Sequence, residues 1–279
     1  MRLALIANAA SGGGLEPTDL TRSLEALGAE VDAFAIADAG SVGDGYDRIA
    51  VAGGDGSVGL AAELASRRGV PLAVIAAGTA NDFARAHELP LDHNDAVRLA
   101  TGGTRLQRLE LGRLGQRPFV NVASAGLSPA AARHAQDYKR LLGPLAYLLG
   151  AAEAGLRSRP VACRVTVDGA AEPVYAGDAW QLIVSVSGAF GGGSSIDDAD
   201  PGDGVLHVTV VPAGSRLGLV WRAIGMRRGD LADQDGVVDA EGKRIDLGLP
   251  ADTKLNVDGE LCTPAPLSVE PAAFSLVVG

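Results

Sequence analysis

Two short stretches of the sequence place carboxylates, amides and hydroxyls among glycines. Gly53-Gly54-Asp55-Gly56-Ser57 follows one apolar run, and Gly78-Thr79-Ala80-Asn81-Asp82-Phe83-Ala84-Arg85 follows another. Glycines where a strand turns into a helix let the backbone approach a phosphate closely. The free N–H groups and dipole of the helix start then favour the anion. No Lys-Ser/Thr pair follows Gly56, so this is not a Walker A loop. Asp55 is costly inside an anion site unless it holds a magnesium ion or accepts a proton; its plain alternative is a cap in a tight turn. Asn81 and Asp82 have the same alternative as helix caps. A third loop, Asn8-Ala9-Ala10-Ser11-Gly12-Gly13-Gly14, follows the first apolar run. Near the end, Val257-Asp258-Gly259-Glu260 offers two more carboxylates. Locally it reads as a β-turn, as does Asp168-Gly169, because Asp-Gly is a strong hairpin signal.

The elements needed to position these loops alternate in the first half of the chain. Leu3–Ala7, Val31–Ala37, Arg48–Ala52 and Leu72–Ala76 read as buried strands. Thr18 can cap a helix with Leu20, Leu24 and Leu27 on one face, ended by Gly28. Near-continuous apolar strands separated by helices predict a parallel sheet covered on both faces. Loops after successive parallel strands open on the same carboxyl edge, where ligands bind. Three glycine-bearing polar loops on one edge therefore point to a nucleotide phosphate site. After about residue 120 the pattern changes to alternation, as in Val161–Val167, Ala179–Val186 and Val205–Val211. A helix capped by Ser215 and closed by Gly229 interrupts it, and Thr253–Val257 and Phe274–Val278 are late strands. This predicts a second, mostly antiparallel domain.

Composition narrows the function. The net charge of −10 argues against a general nucleic-acid binder and against strong resting adhesion to anionic lipid. Cys163 and Cys262 form no CxxC, so a reduced, cytoplasmic setting is expected. The apolar start is too short for an export signal, and no run approaches the ~20 residues that span a bilayer. Leu141–Leu156, flanked by Lys139, Arg140, Arg157 and Arg159, is either a core helix or a contact with a membrane surface.

Together these motifs resemble the diacylglycerol kinase catalytic family, which includes sphingosine kinases and soluble bacterial lipid kinases. The resemblance covers nearly the whole chain. Gly78–Arg85 is similar to the family's GTxNDFAR almost letter for letter. Gly53–Ser57 resembles its GGDGT, the Asn8 loop its Asn-Pro-x-Ser-Gly, and Asp258-Gly259-Glu260 its DGE. Phe119-Val120-Asn121 and Leu142–Tyr147 also match. The resemblance implies an N-terminal phosphofructokinase-like α/β domain over 1–121 and a C-terminal β-sandwich domain over 122–269. A last strand, about 270–279, can return to the first domain, and the active site would lie in the cleft between them. It implies an ATP-dependent lipid kinase with a carboxylate base and Mg2+, acting on a diacylglycerol-like or sphingoid-like hydroxyl. Glu260, Asp258 and Asp55 would be catalytic. Asn8, Ser11, Gly12, Gly53, Gly54, Gly56, Ser57, Gly78, Thr79, Asn81 and Asp82 would bind nucleotide. Asp200, Asp203 and the Val205 carbonyl would hold a structural magnesium, unless that stretch is a solvated acidic turn.

The partner would be a lipid met at a membrane surface through a transient peripheral contact, with no nucleic acid; a homodimer stays open. The first loop departs from the pattern. It has Ala9-Ala10 for Pro-x and lacks a nearby Lys or Arg, Arg22 being the nearest. Ser57 replaces Thr, and Gly126-Leu127-Ser128 lacks the usual Asp. A non-catalytic nucleotide- or lipid-binding relative, or an NAD kinase-like activity, remains as the alternative.

Overall fold

The computed structural model describes residues 1–8, 16–126, 159–187, 189–190, 194–195, 202–215 and 236–279. Ser11, Gly12 and Asp200, the expected helix after Ser215 and the Leu141–Leu156 stretch lie outside them.

The N-terminal half runs β1 (Arg2–Ala7), α1 (Pro17–Ala26), β2 (Glu30–Ala35), a 3-10 turn (Ile36–Ser41), β3 (Arg48–Gly53), α2 (Asp55–Arg68), β4 (Leu72–Ala76), α3 (Asp82–Ala86), α4 (His93–Gly102) and β5 (Arg105–Leu114). Strands β2, β1, β3 and β4 are parallel neighbours in that order. Their side chains divide by parity, as a period of two requires. Ala4, Ile6, Ile49, Val51 and Val74 join α2 and Phe83 in one core. Leu3, Leu5, Ala50, Ala52 and Ile75 join α1 and α4 in another. The sheet is thus covered on both faces. One local expectation fails: Thr18 does not cap α1. Glu16 stands at the cap with no side-chain bond, and Pro17 opens the helix. Proline tolerates that position because the N–H it lacks would be unpaired there anyway.

The C-terminal half contains β6 (Arg117–Phe119), β7 (Val122–Gly126), β8 (Val161–Val167), β9 (Tyr175–Ser185), β10 (Ala189–Phe190), β11 (Ser194–Ser195), β12 (Leu206–Pro212), β13 (Val238–Gly242), β14 (Arg244–Gly248), β15 (Leu255–Val257), β16 (Glu260–Cys262) and β17 (Leu267–Val278). Among the described strands its internal pairings are antiparallel, with β9 flanked by β7, β8 and β12. Its core gathers Phe119, Val165, Leu182, Val184, Val208, Leu255 and Leu267.

Strand β17 joins the halves. Its start pairs with β14, its end pairs with β4 in parallel, and it runs antiparallel to β5 from Leu267↔Leu114 to Val278↔Arg105. The chain itself crosses at 119–120. Phe119 packs in the C-terminal core, while Val120 packs in the N-terminal one.

Because β17 serves both cores, Phe274→Ala should destabilise the whole molecule. A loss of about 3–5 kcal/mol is expected for a buried aromatic, read as a lower urea midpoint in one transition. An unshifted transition from the N-terminal domain would contradict this.

Candidate active site

Helix α2 starts where β3 ends, with Gly54 at its cap. The next loop comes from β4, and the two glycine turns lie against each other. A Cβ on Gly78 would sit 2.6 Å from the Gly54 Cα. Only glycine allows that approach, so the spacing of GGDG and GTAND reflects packing between two loops. Asn81 holds the second turn in the left-handed region (φ 53°). Its Oδ1 accepts from the Gly78 N–H (2.8 Å), and its amide donates to the Gly78 carbonyl (3.1 Å). Asn8 donates to the Ser57 hydroxyl (3.2 Å), and Gly53 lies under both. Asn8, Gly53, Gly54, Gly56, Ser57 and Gly78 thus share one sheet edge, with Thr79 exposed at its rim.

Asp55 is a cap, but of the neighbouring helix. Its carboxylate accepts from the Phe83 N–H (2.9 Å) and the Asp82 N–H (3.3 Å), the first amides of α3. A carboxylate satisfies those free donors and the helix dipole together. His87 closes α3 against Phe83, 4.4 Å between rings. Burial pulls its pKa down to about 4, so it is neutral at pH 7.

Asp258 takes a left-handed turn position (φ 46°), followed by Gly259 (φ 93°), and the hairpin closes on the Val257↔Glu260 pair. Its carboxylate turns inward onto the domain crossing. It accepts from the N–H groups of Val120 (2.8 Å), Asn121 (3.1 Å) and Val122 (3.1 Å). Burial pushes its pKa up to about 7; the three amides oppose this, and the nearby Asp55 charge adds to it.

Two residues on, Glu260 reaches back to the first turn of α2. Its Oε1 lies 3.0 Å from where a Cβ on Gly56 would stand. Its Oε2 pairs with the Arg117 guanidinium at 2.8 Å. The early glycine loops and the late carboxylate therefore meet where the domains touch. Arg117 was missed in the sequence, because its partner is far along the chain. The available signal was a basic residue just before Phe119-Val120-Asn121.

The Asp203 region is a separate place. Asp203 accepts from the Val205 N–H (2.9 Å) and pairs with His207 (2.7 Å). Buried Glu110, also missed, accepts from Gly202 (3.1 Å) and Gly204 (2.7 Å). Burial raises its pKa, and the Gly204 amide opposes that. Among the described residues no three His, Cys, Asp or Glu side chains come together in a way that could hold a metal ion.

A pH prediction follows for Asp258. The folded chain keeps a proton there between about pH 4 and 7 that the unfolded chain releases. The stability this group contributes is therefore full below about pH 4 and is lost as pH rises to about 7. Asp258→Asn should remove that component from melting curves taken across pH 4–8. Asp258→Ala should cost about 2–4 kcal/mol at any pH, by stranding three amides. A wild-type slope retained in Asp258→Asn would contradict the assignment.

Known proteins place this geometry. Residues 2–114 match the family described as the diacylglycerol kinase catalytic domain. Residues 121–278 match the YegS C-terminal NAD kinase beta sandwich-like domain. A diacylglycerol kinase of Staphylococcus saprophyticus is 28% identical over 87% of this chain and 82% of its own. One from Staphylococcus aureus is 28% identical over 93% and 86%. The crystal structure of a diacylglycerol kinase from Bacillus anthracis covers 100% of this chain and 97% of that one, with a TM-score of 0.76 and 22% identity. That last likeness is one of fold. The chain belongs to the diacylglycerol kinase catalytic-domain family, in its two-domain form with a YegS-type C-terminal β-sandwich.

Proposed function

We propose that this protein is an ATP-dependent lipid kinase, transferring the γ-phosphoryl group to a diacylglycerol-like or sphingoid-like hydroxyl. The observation that carries the reading is the Glu260 carboxylate beside Gly56, at the start of α2. An anion site and a candidate proton acceptor then share one place.

The residues present fit a nucleotide. The Gly54 and Gly78 turns approach too closely to admit a Cβ on Gly78, and such a bare backbone surface at the start of α2 suits phosphate oxygens. Asn8, Ser57 and Thr79 add polar side chains around them. Asp82 belongs here through its backbone, which helps seat Asp55. Magnesium, when bound, neutralises charge on the phosphates. It commonly takes only one or two carboxylates besides phosphate and water. That suits a site where Asp55 and Asp258 already sit on backbone amides.

The transfer is then a single displacement. The acceptor oxygen bonds to the γ-phosphorus, and the bond to the β,γ-bridging oxygen breaks. ADP leaves with that electron pair, and Glu260 takes the hydroxyl proton. Positioning and charge dominate such reactions. We take the acceptor to be met at a membrane surface through a transient contact. No helix among the described residues is long and apolar enough to cross a membrane, and the charge of −10 gives no resting adhesion to anionic lipid.

The test uses purified protein, labelled ATP, Mg2+ and a lipid panel in mixed micelles, with NAD as a further acceptor. Transfer to a lipid is expected. Glu260→Gln should lower it by ~10²–10⁴-fold with nucleotide still bound. Gly78→Ala should weaken nucleotide binding, because its Cβ would lie 2.6 Å from the Gly54 Cα. Phosphorylation of NAD but of no lipid, or binding without turnover, would overturn the proposal.

A further inference from the structure

We propose that Arg117 is the positioning residue for the Glu260 carboxylate; the inference rests on the reading of Glu260 as proton acceptor. Arg117 opens β6 and pairs with Leu114 of β5. The strand behind it is closely packed. Gly59 of α2 packs so tightly on it that a Cβ there would stand 3.3 Å from the Pro118 carbonyl oxygen. Phe119 is fully buried. The guanidinium therefore starts from a fixed base.

The two oxygens of Glu260 have different neighbours. One faces the guanidinium and the other faces the first turn of α2. Both neighbours favour negative charge. The side chains are 34% and 61% exposed, so the pair adds little stability. Its effect is orientation. Burial pulls the Arg117 pKa down, but the hydrogen bond and charge of Glu260, with Cys262 and Asp258 beyond, hold it up. Arg117 thus stays charged and faces the acidic hairpin.

A base next to a triphosphate is crowded by like charge. A cation on its outer oxygen offsets that crowding and fixes the inner oxygen. Misplacing a reacting group by ~1 Å can cost ~10²-fold. The cation absent from the first loop has a counterpart here, supplied from the domain crossing.

The experiment compares Arg117→Met, Arg117→Lys, Glu260→Gln and the Arg117→Met/Glu260→Gln double variant. Arg117→Met should lower kcat by ~10–100-fold with the KM for ATP and the melting temperature little changed. Arg117→Lys should recover part of the loss. The double variant should be no slower than Glu260→Gln alone. Wild-type kcat in Arg117→Met, or full additivity in the double variant, would overturn the inference. Wild-type kcat in Glu260→Gln would instead sink the reading of Glu260. A crystal structure of Arg117→Met gives a readout free of activity: the Glu260 carboxylate should leave Gly56, and an unmoved carboxylate would overturn the inference.

Discussion

The Asp258 carboxylate, seated on the amides of Val120, Asn121 and Val122, ties the last hairpin to the point where the chain passes between domains. Those amides lie at the turn from one core to the other. A buried carboxylate is expensive, and buried amides without acceptors are expensive too. Each offsets the other, and the residual tension appears in a pKa pushed up to about 7. The seat also fixes the register of β15 and β16. Asp258 donates its own N–H to the Val122 carbonyl (3.1 Å), and Asn256 pairs with Ser124. With Asp258 anchored, Glu260 has only one residue of turn left, and it emerges at α2.

The carboxylates of the site therefore have unequal freedom. Asp55 is spent on the amides of α3 and Asp258 on the domain crossing. Each is held in place by backbone of another segment. Glu260 alone among these three is exposed, held by a side chain instead of by backbone. Motif letters treat three acids alike; their partners differ, backbone amides for Asp55 and Asp258 and the Arg117 guanidinium for Glu260.

Much of this was legible in the sequence because the signals were local. Strands such as Leu72–Ala76 announce themselves by apolar runs, and Gly78–Arg85 by its turn residues. Both faces of the parallel sheet follow from parity. The pieces that escaped depend on long-range pairing. Arg117 and Glu260 are neighbours only because β6 and β16 both flank the crossing. Glu110 meets Gly202 and Gly204 through a contact no window of sequence contains. Asp55 was weighed as a cap, but its helix is α3 and not its own, since two separate loops had to pack first. Thr18 shows the opposite limit. Two local signals competed at one helix start, and Pro17 took the first position.

The central claim is that the glycine turns and Glu260 address one triphosphate. A crystal structure with a non-hydrolysable ATP analogue and Mg2+ tests it directly. The account predicts phosphate oxygens against the Gly54 and Gly78 turns, with the γ-phosphate next to the Glu260 carboxylate. A triphosphate bound elsewhere, or one held at the glycine turns with Glu260 facing away into solvent, would contradict it.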